Sequence, residues 1–219
     1  MTPNYDAAAI KATEILIQRQ IKRTPIDPIP IIKSLPNVYL FSFEEIATLN
    51  GMDRQNVISM VGQANQEAAT IVRRGEDGLA YIVAYNQYLP YVLVQRALAR
   101  ELAHIVLEHD GSRTVEARTE EALCFARHLL CPRPLLKAIE SAGIPLTVEL
   151  IGSLTGCRKR CLAGISATPG THVPAALNQM VKEQFAPFVD NFINYANYVK
   201  SGDESPLADF GTFFDGYEE

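Results

Sequence analysis

The chain has 219 residues, a net charge of −5, 47% hydrophobic residues and 21% charged residues. That is the make-up of a soluble globular chain long enough to bury a core, and not of a disordered one. It argues against a general nucleic-acid binder, which needs a basic face to neutralise phosphates, although a small local basic patch remains compatible with it.

No stretch reaches the length of a membrane span. The N-terminal segment carries Asp6, Lys11 and Glu14 inside its apolar pattern, unlike a signal peptide. Cys124, Cys131, Cys157 and Cys161 have no secretory context, so reduced thiols in a cytoplasmic protein are expected.

In chain order, Ile10, Ile17 and Ile21 recur at helical spacing and predict a first helix over 5–22. Prolines stop it, and Asp27 before Pro28 caps a short second helix ending near Ser34. "NVYLFSF" reads as a strand and "EEIATLNG" as a short helix ended by Asn50-Gly51. Apolar runs on either side of Gly75-Glu76-Asp77-Gly78 predict a hairpin of 67–74 and 78–85.

A long helix follows, with Pro90 near its start and Gly111 past its end. Helices over 116–130 and 133–142 come next, then two short helices broken at Gly156. Last comes a long amphipathic helix from "VPAALNQ", kinked or broken near Pro187. Residues 201–219 hold six acidic residues and no Lys or Arg, and are expected to form a mobile tail. Its Phe210, Phe213, Phe214 and Tyr217 suggest a docking segment.

The long helix carries "ALARELAHIVLEH". A helical zinc-protease motif, H-E-x-x-H, places two histidines on one face at i and i+4, with the Glu reaching metal-bound water as general base. Here Arg100 and His104 are the i, i+4 pair and Glu101 stands where the base belongs. Taken alone, E-x-x-H is short and arises by chance; His104 then reads as a half-buried histidine on an ordinary helix.

The surroundings favour a site. A hairpin precedes the helix, and "EEALCFARHLLCP" follows over 120–132. Together these resemble the ImmA/IrrE family of zincin-like metallopeptidases over about residues 24–136. Members begin with a P-V-D-like tripeptide, here Pro25-Ile26-Asp27, and have a sheet strand ending in Asn, here Asn86. They carry an H-E-L-G-H-x-x-L-x-H helix, matched by residues 100–109, and an E-A-x-x-F-A-x-x-L-L-M-P pattern, matched by residues 121–132 with Cys131 for Met.

The resemblance implies an α+β zincin-like domain over 1–143, its small antiparallel-containing sheet packed on the site helix, and a helical extension over 144–200. It also implies a zinc peptidase acting on a repressor-type regulatory protein in a bacterium or mobile element. By matching position, Glu101 would be the general base and His104 and Glu121 metal ligands. The first ligand position is occupied by Arg100, a permanent cation that suits a carboxylate.

That substitution opens a second expectation: Arg100 bonds Glu121, Glu101 or both and replaces the zinc, leaving a metal-free pseudopeptidase that binds a regulatory protein or peptide along its edge strand. Cys124, three residues after Glu121, is a conceivable replacement ligand, although two buried cysteines on that helix are the simpler reading of Cys124 and Cys131. His109 falls well around the wheel from His104 unless the helix has already ended. His128 is two turns, roughly 10 Å, beyond Glu121. Cys157 and Cys161 flank three cations at a spacing unlike a zinc pattern and read as part of a short basic helix.

Overall fold

A computed structural model describes residues 2–61, 67–75, 78–109, 112–156 and 171–201. Over these the protein is α+β, with nine helices and one three-stranded mixed sheet. Among the described residues no helix is long and apolar enough to cross a membrane.

Helix α1 (Tyr5–Gln18) starts where the Asn4 side chain accepts from the Ala7 N–H. Its small residues Ala8, Ala9 and Ala12 are fully buried, which lets it approach α6 closely. The expected extension to residue 22 does not occur. Gln20 adopts a left-handed φ of 51°, and the Ile21 N–H donates back to the Leu16 carbonyl at 3.0 Å, closing a Schellman stop. Gln184 then donates its amide to the Leu16 and Ile21 carbonyls at 2.8 and 2.5 Å, tying the end of α1 to the last helix.

Helix α2 (Pro28–Lys33) is capped by Asp27, and Ser42 and Glu45 form a capping box on α3 (Phe43–Asn50). Between them lies β1 (Val38–Ser42). A further helix, α4 (Arg54–Val61), follows Gly51. The hairpin of β2 (Ala68–Gly75) and β3 (Gly78–Tyr85) is antiparallel, while β1 joins β3 in parallel, giving the order β1-β3-β2. Strand β2 is thus an edge of the sheet.

The sheet lies on α5 (Tyr91–Val106), whose buried Val94, Leu98, Leu102 and Ile105 mark the i, i+4 stripe of a core helix. Its other side meets α6 (Val115–Leu130), which also packs on α1. Helices α7 (Arg133–Ser141) and α8 (Val148–Thr155) follow, the latter ended by Gly156 at φ 68°. The last helix, α9 (Ala175–Ser201), is not broken at Pro187 but runs through it.

Val181, Phe185 and Phe188 of α9 join the same core as Leu98, Leu102, Phe125 and Leu129. A smaller cluster of Phe43, Ile46, Val57 and Ala84 sits between α3, α4 and the sheet. The second short helix expected after Gly156, with Cys157 and Cys161, and the acidic tail beyond Ser201 lie outside the described residues.

Helix α5 stops in the same way as α1. Leu107 is its C-cap, Glu108 takes a left-handed φ of 51°, and the His109 N–H donates to the His104 carbonyl at 3.0 Å. A side chain in that conformation costs about 1–2 kcal/mol relative to the right-handed region, a cost glycine escapes. Glu108→Gly is therefore expected to raise unfolding stability by about 1 kcal/mol, read as a higher urea midpoint. A lower midpoint would show that Glu108 stabilises the turn through its side chain.

Candidate functional site

The stop of α5 turns the chain back and lays His109 against His104. The two rings meet edge to face with centroids 4.9 Å apart, and their Nδ1 atoms are 2.8 Å apart. On the other side of His109, Nε2 lies 2.8 Å from Oε2 of Glu121 on α6. His104, His109 and Glu121 therefore form one continuous chain, in which the His109 and Glu121 side chains are 0% and 2% exposed.

Three groups serve the Glu121 carboxylate. Arg113 donates to both oxygens at 2.5 and 2.7 Å, the Asn4 N–H donates to Oε1 at 2.6 Å, and His109 bonds Oε2. A buried carboxylate needs such partners, since an uncompensated buried charge is costly.

Burial lowers the pKa of His109, opposed by Glu121. Burial, with His109, Arg118 and Arg100 nearby, pushes His104 down to about 4. Both rings are thus neutral at pH 7, and the partners set their tautomers. His109 donates from Nε2 to Glu121 and accepts at Nδ1; His104 donates from Nδ1 and keeps a bare lone pair on Nε2.

Arg100 departs from the expectation. It binds a carboxylate, but that carboxylate is Glu67, at 2.6 Å, one residue before β2. Arg96, one turn earlier on α5, reaches the other Glu67 oxygen at 3.0 Å. The cation on Glu121 is Arg113. Arg100 and His104 leave the same face of α5, one turn apart, but the Arg100 guanidinium reaches toward the hairpin at Glu67, whereas His104 meets His109, which bonds Glu121 on α6.

Glu101 is buried, and its Oε2 accepts from the Thr70 hydroxyl of β2 at 2.7 Å. Burial raises its pKa, with Thr70 and Arg100 acting in the opposite sense. The Cys124 thiol donates to the Tyr5 carbonyl at 3.5 Å, and burial pushes it up to about 11, so no thiolate is available at neutral pH.

Zinc asks for donors about 2.0–2.3 Å from one point in a tetrahedron. Here His109 turns one nitrogen to His104 and the opposite nitrogen to Glu121, so the three do not aim at one point. Among the described residues no group of three His, Cys, Asp or Glu converges in that way. One guanidinium nitrogen of Arg113 already bridges both Glu121 oxygens, and Arg100 and Arg118 add positive field at His104. The residues present do not fit a zinc ion in this arrangement. A salt bridge cannot lower the pKa of water as zinc does, so no hydrolytic step is derived.

His109, Arg113, Glu67, Thr70 and Asn4 complete this centre; His109 is the last position of the matched motif, and the motif points to none of the other four. The early end of α5, which brings His109 to His104, is masked because Glu108, rather than Gly or Asn, occupies the left-handed position. Compared with models of known protein families, with curated proteins and with solved structures, the chain matches none. By its own geometry it is an α+β protein built around a buried Glu–His–His chain.

His128, 8% exposed, is pushed down to about 4 by burial and by Arg133 and Arg127. Between pH 6.5 and about 4 the unfolded chain binds protons that folded His128 and His104 refuse, so stability falls as pH drops through that window. His128→Gln is expected to remove about 2 kcal/mol of the wild-type loss between pH 7 and pH 5, measured by urea unfolding at each pH. Identical pH slopes in the two proteins would contradict the assignment.

Proposed function

We propose that the chain is a zincin-like domain of the ImmA/IrrE type that holds its centre together without metal and binds an extended segment of a regulatory protein. One observation carries this reading: each position that corresponds to a metal ligand already has a protein partner. Arg100 is paired with Glu67, His104 with His109, and Glu121 with Arg113, His109 and the Asn4 N–H. The same observation weighs against the peptidase reading with Glu101 as base, because Glu101 is engaged by Thr70 and, among the described residues, no ligand set converges beside it.

The edge strand is the natural place for the partner. The Asn86 N–H donates to the Glu67 carbonyl, and the Tyr81 N–H donates to the Asn37 carbonyl toward β1. With Ala68 opposite Tyr85, this parity turns the backbone groups of Glu67, Ala69, Ile71 and Arg73 inward to β3. Ala68, Thr70, Val72 and Arg74 then present theirs outward, where among the described residues no strand pairs with them.

An extended peptide added there gains backbone hydrogen bonds and needs no metal. Val72 is 51% exposed on that edge, and Arg73 and Arg74 flank it with positive charge, which favours an acidic and apolar segment. Thr70 links the edge directly to Glu101.

Selecting peptides from a random display library on the folded protein tests the reading. Extended acidic-apolar peptides are expected to bind intact, without added zinc. Val72→Pro removes one outward N–H that the sheet does not use, and is expected to weaken binding about tenfold while leaving the circular dichroism unchanged. Peptide cleavage that depends on Glu101, or binding that Val72→Pro leaves unaltered, would contradict it.

A further inference from the structure

A cavity of about 430 Å³ lies where the end of α6 meets α1, α7 and the start of α9. It shares no residue with the Glu–His–His chain. Its floor is apolar and fully or almost fully buried, with Leu16 at 1% and Val181 at 0% exposure. Arg133, Lys137 and Lys182 line it, and among the described residues no Asp or Glu does; the nearby Asp6 carboxylate is engaged by the His172 N–H at 2.7 Å. In a chain of net charge −5, a cavity lined by three cations is a marked local reversal of sign.

The placement follows from helical spacing. Arg133 and Lys137 are one turn apart on α7, so both side chains leave the same face. Lys182 comes from the facing helix α9, one turn after Asn178, which also lines the cavity. Among the described residues no carboxylate makes an ion pair with Lys137 or Lys182. The inner wall is polar at one point: the Thr171 hydroxyl lies 3.0 Å from Nε2 of buried His128. The first turn of α7, at Arg133 and Pro134, opens onto the same space, and the positive end of that helix adds to the field.

We infer that this cavity is a binding site for a small phosphomonoester, with its phosphate between Lys137, Lys182 and Arg133 and its apolar body on Leu16 and Val181. Point-charge ammonium groups suit a phosphate dianion, whereas a monocarboxylate would leave most of the cationic charge uncompensated. The volume is that of a small-molecule site. A nucleic-acid backbone needs an extended basic face, and this basic region is one depression whose floor is buried. Such a ligand would bridge α7 and α9 and stiffen the junction between them.

Phenyl phosphate, inorganic phosphate and phenol are suitable probes for calorimetric titration of the full chain. Saturable binding of phenyl phosphate is expected, about tenfold tighter than inorganic phosphate because of the apolar floor, with phenol weaker than either. The pair Lys137→Ala and Lys182→Ala, both on exposed helix surface, is expected to weaken phenyl phosphate about tenfold with the thermal midpoint of the free protein unchanged. Should that variant lose its midpoint, Lys182→Gln alone, read by amide shifts of Thr171 and Ala175 on adding phenyl phosphate, reports the same site. No saturable binding of either phosphate, or equal affinity in wild type and variants, overturns the inference. So does inorganic phosphate binding as tightly as phenyl phosphate.

Discussion

The arrangement turns on one buried carboxylate. Glu121 is 2% exposed at the meeting of α1, α5 and α6, and a lone charge there would be strongly unfavourable. Arg113 supplies the counter-charge, the first backbone N–H before α1 supplies a hydrogen bond, and His109 supplies the third. Those three contacts tie together segments that are far apart in sequence. The N-terminus is held to α6, the end of α5 is folded back, and the turn before α6 is anchored. Removing any one donor would leave a partly satisfied network, which is less favourable than a complete one.

The hairpin side of α5 shows the complementary arrangement. Arg96 and Arg100 grip the two oxygens of Glu67, and Glu101 accepts from Thr70. The start of the edge strand is therefore clamped onto the helix that carries the motif. An arginine has the reach and the planar donors to turn to the strand. Arg100, with Arg96, thereby braces the start of the edge strand against α5.

Much of this was legible in the sequence where short-range physics decides. Asp27 marks the start of α2, Asn50-Gly51 the end of α3 and Pro90 the start of α5, and Gly75 and Gly78 bracket the hairpin. Arg100 was expected on Glu121 or Glu101, and it takes the carboxylate of Glu67 instead. What could not be read was which one. That depends on how the hairpin sits on α5, a long-range fact with no local signature. The ends of α1 and α5 were misjudged for a single reason. Both are Schellman stops with Gln20 or Glu108 in the left-handed position, where Gly or Asn would have announced the turn. His109 was set aside because α5 was expected to run past it; its place beside His104 exists only because α5 ends at Val106.

The central claim is that protein groups, and not a metal ion, hold His104, His109 and Glu121 together. Metal content is the most direct test. The protein is purified without chelators, analysed for zinc by mass spectrometry, and then titrated with zinc while the thermal midpoint is followed. Well under one zinc per chain and no saturable rise in the midpoint are expected, because Arg113 already supplies the counter-charge of Glu121. One zinc per chain, lost together with stability when His104 or Glu121 is replaced, would contradict it.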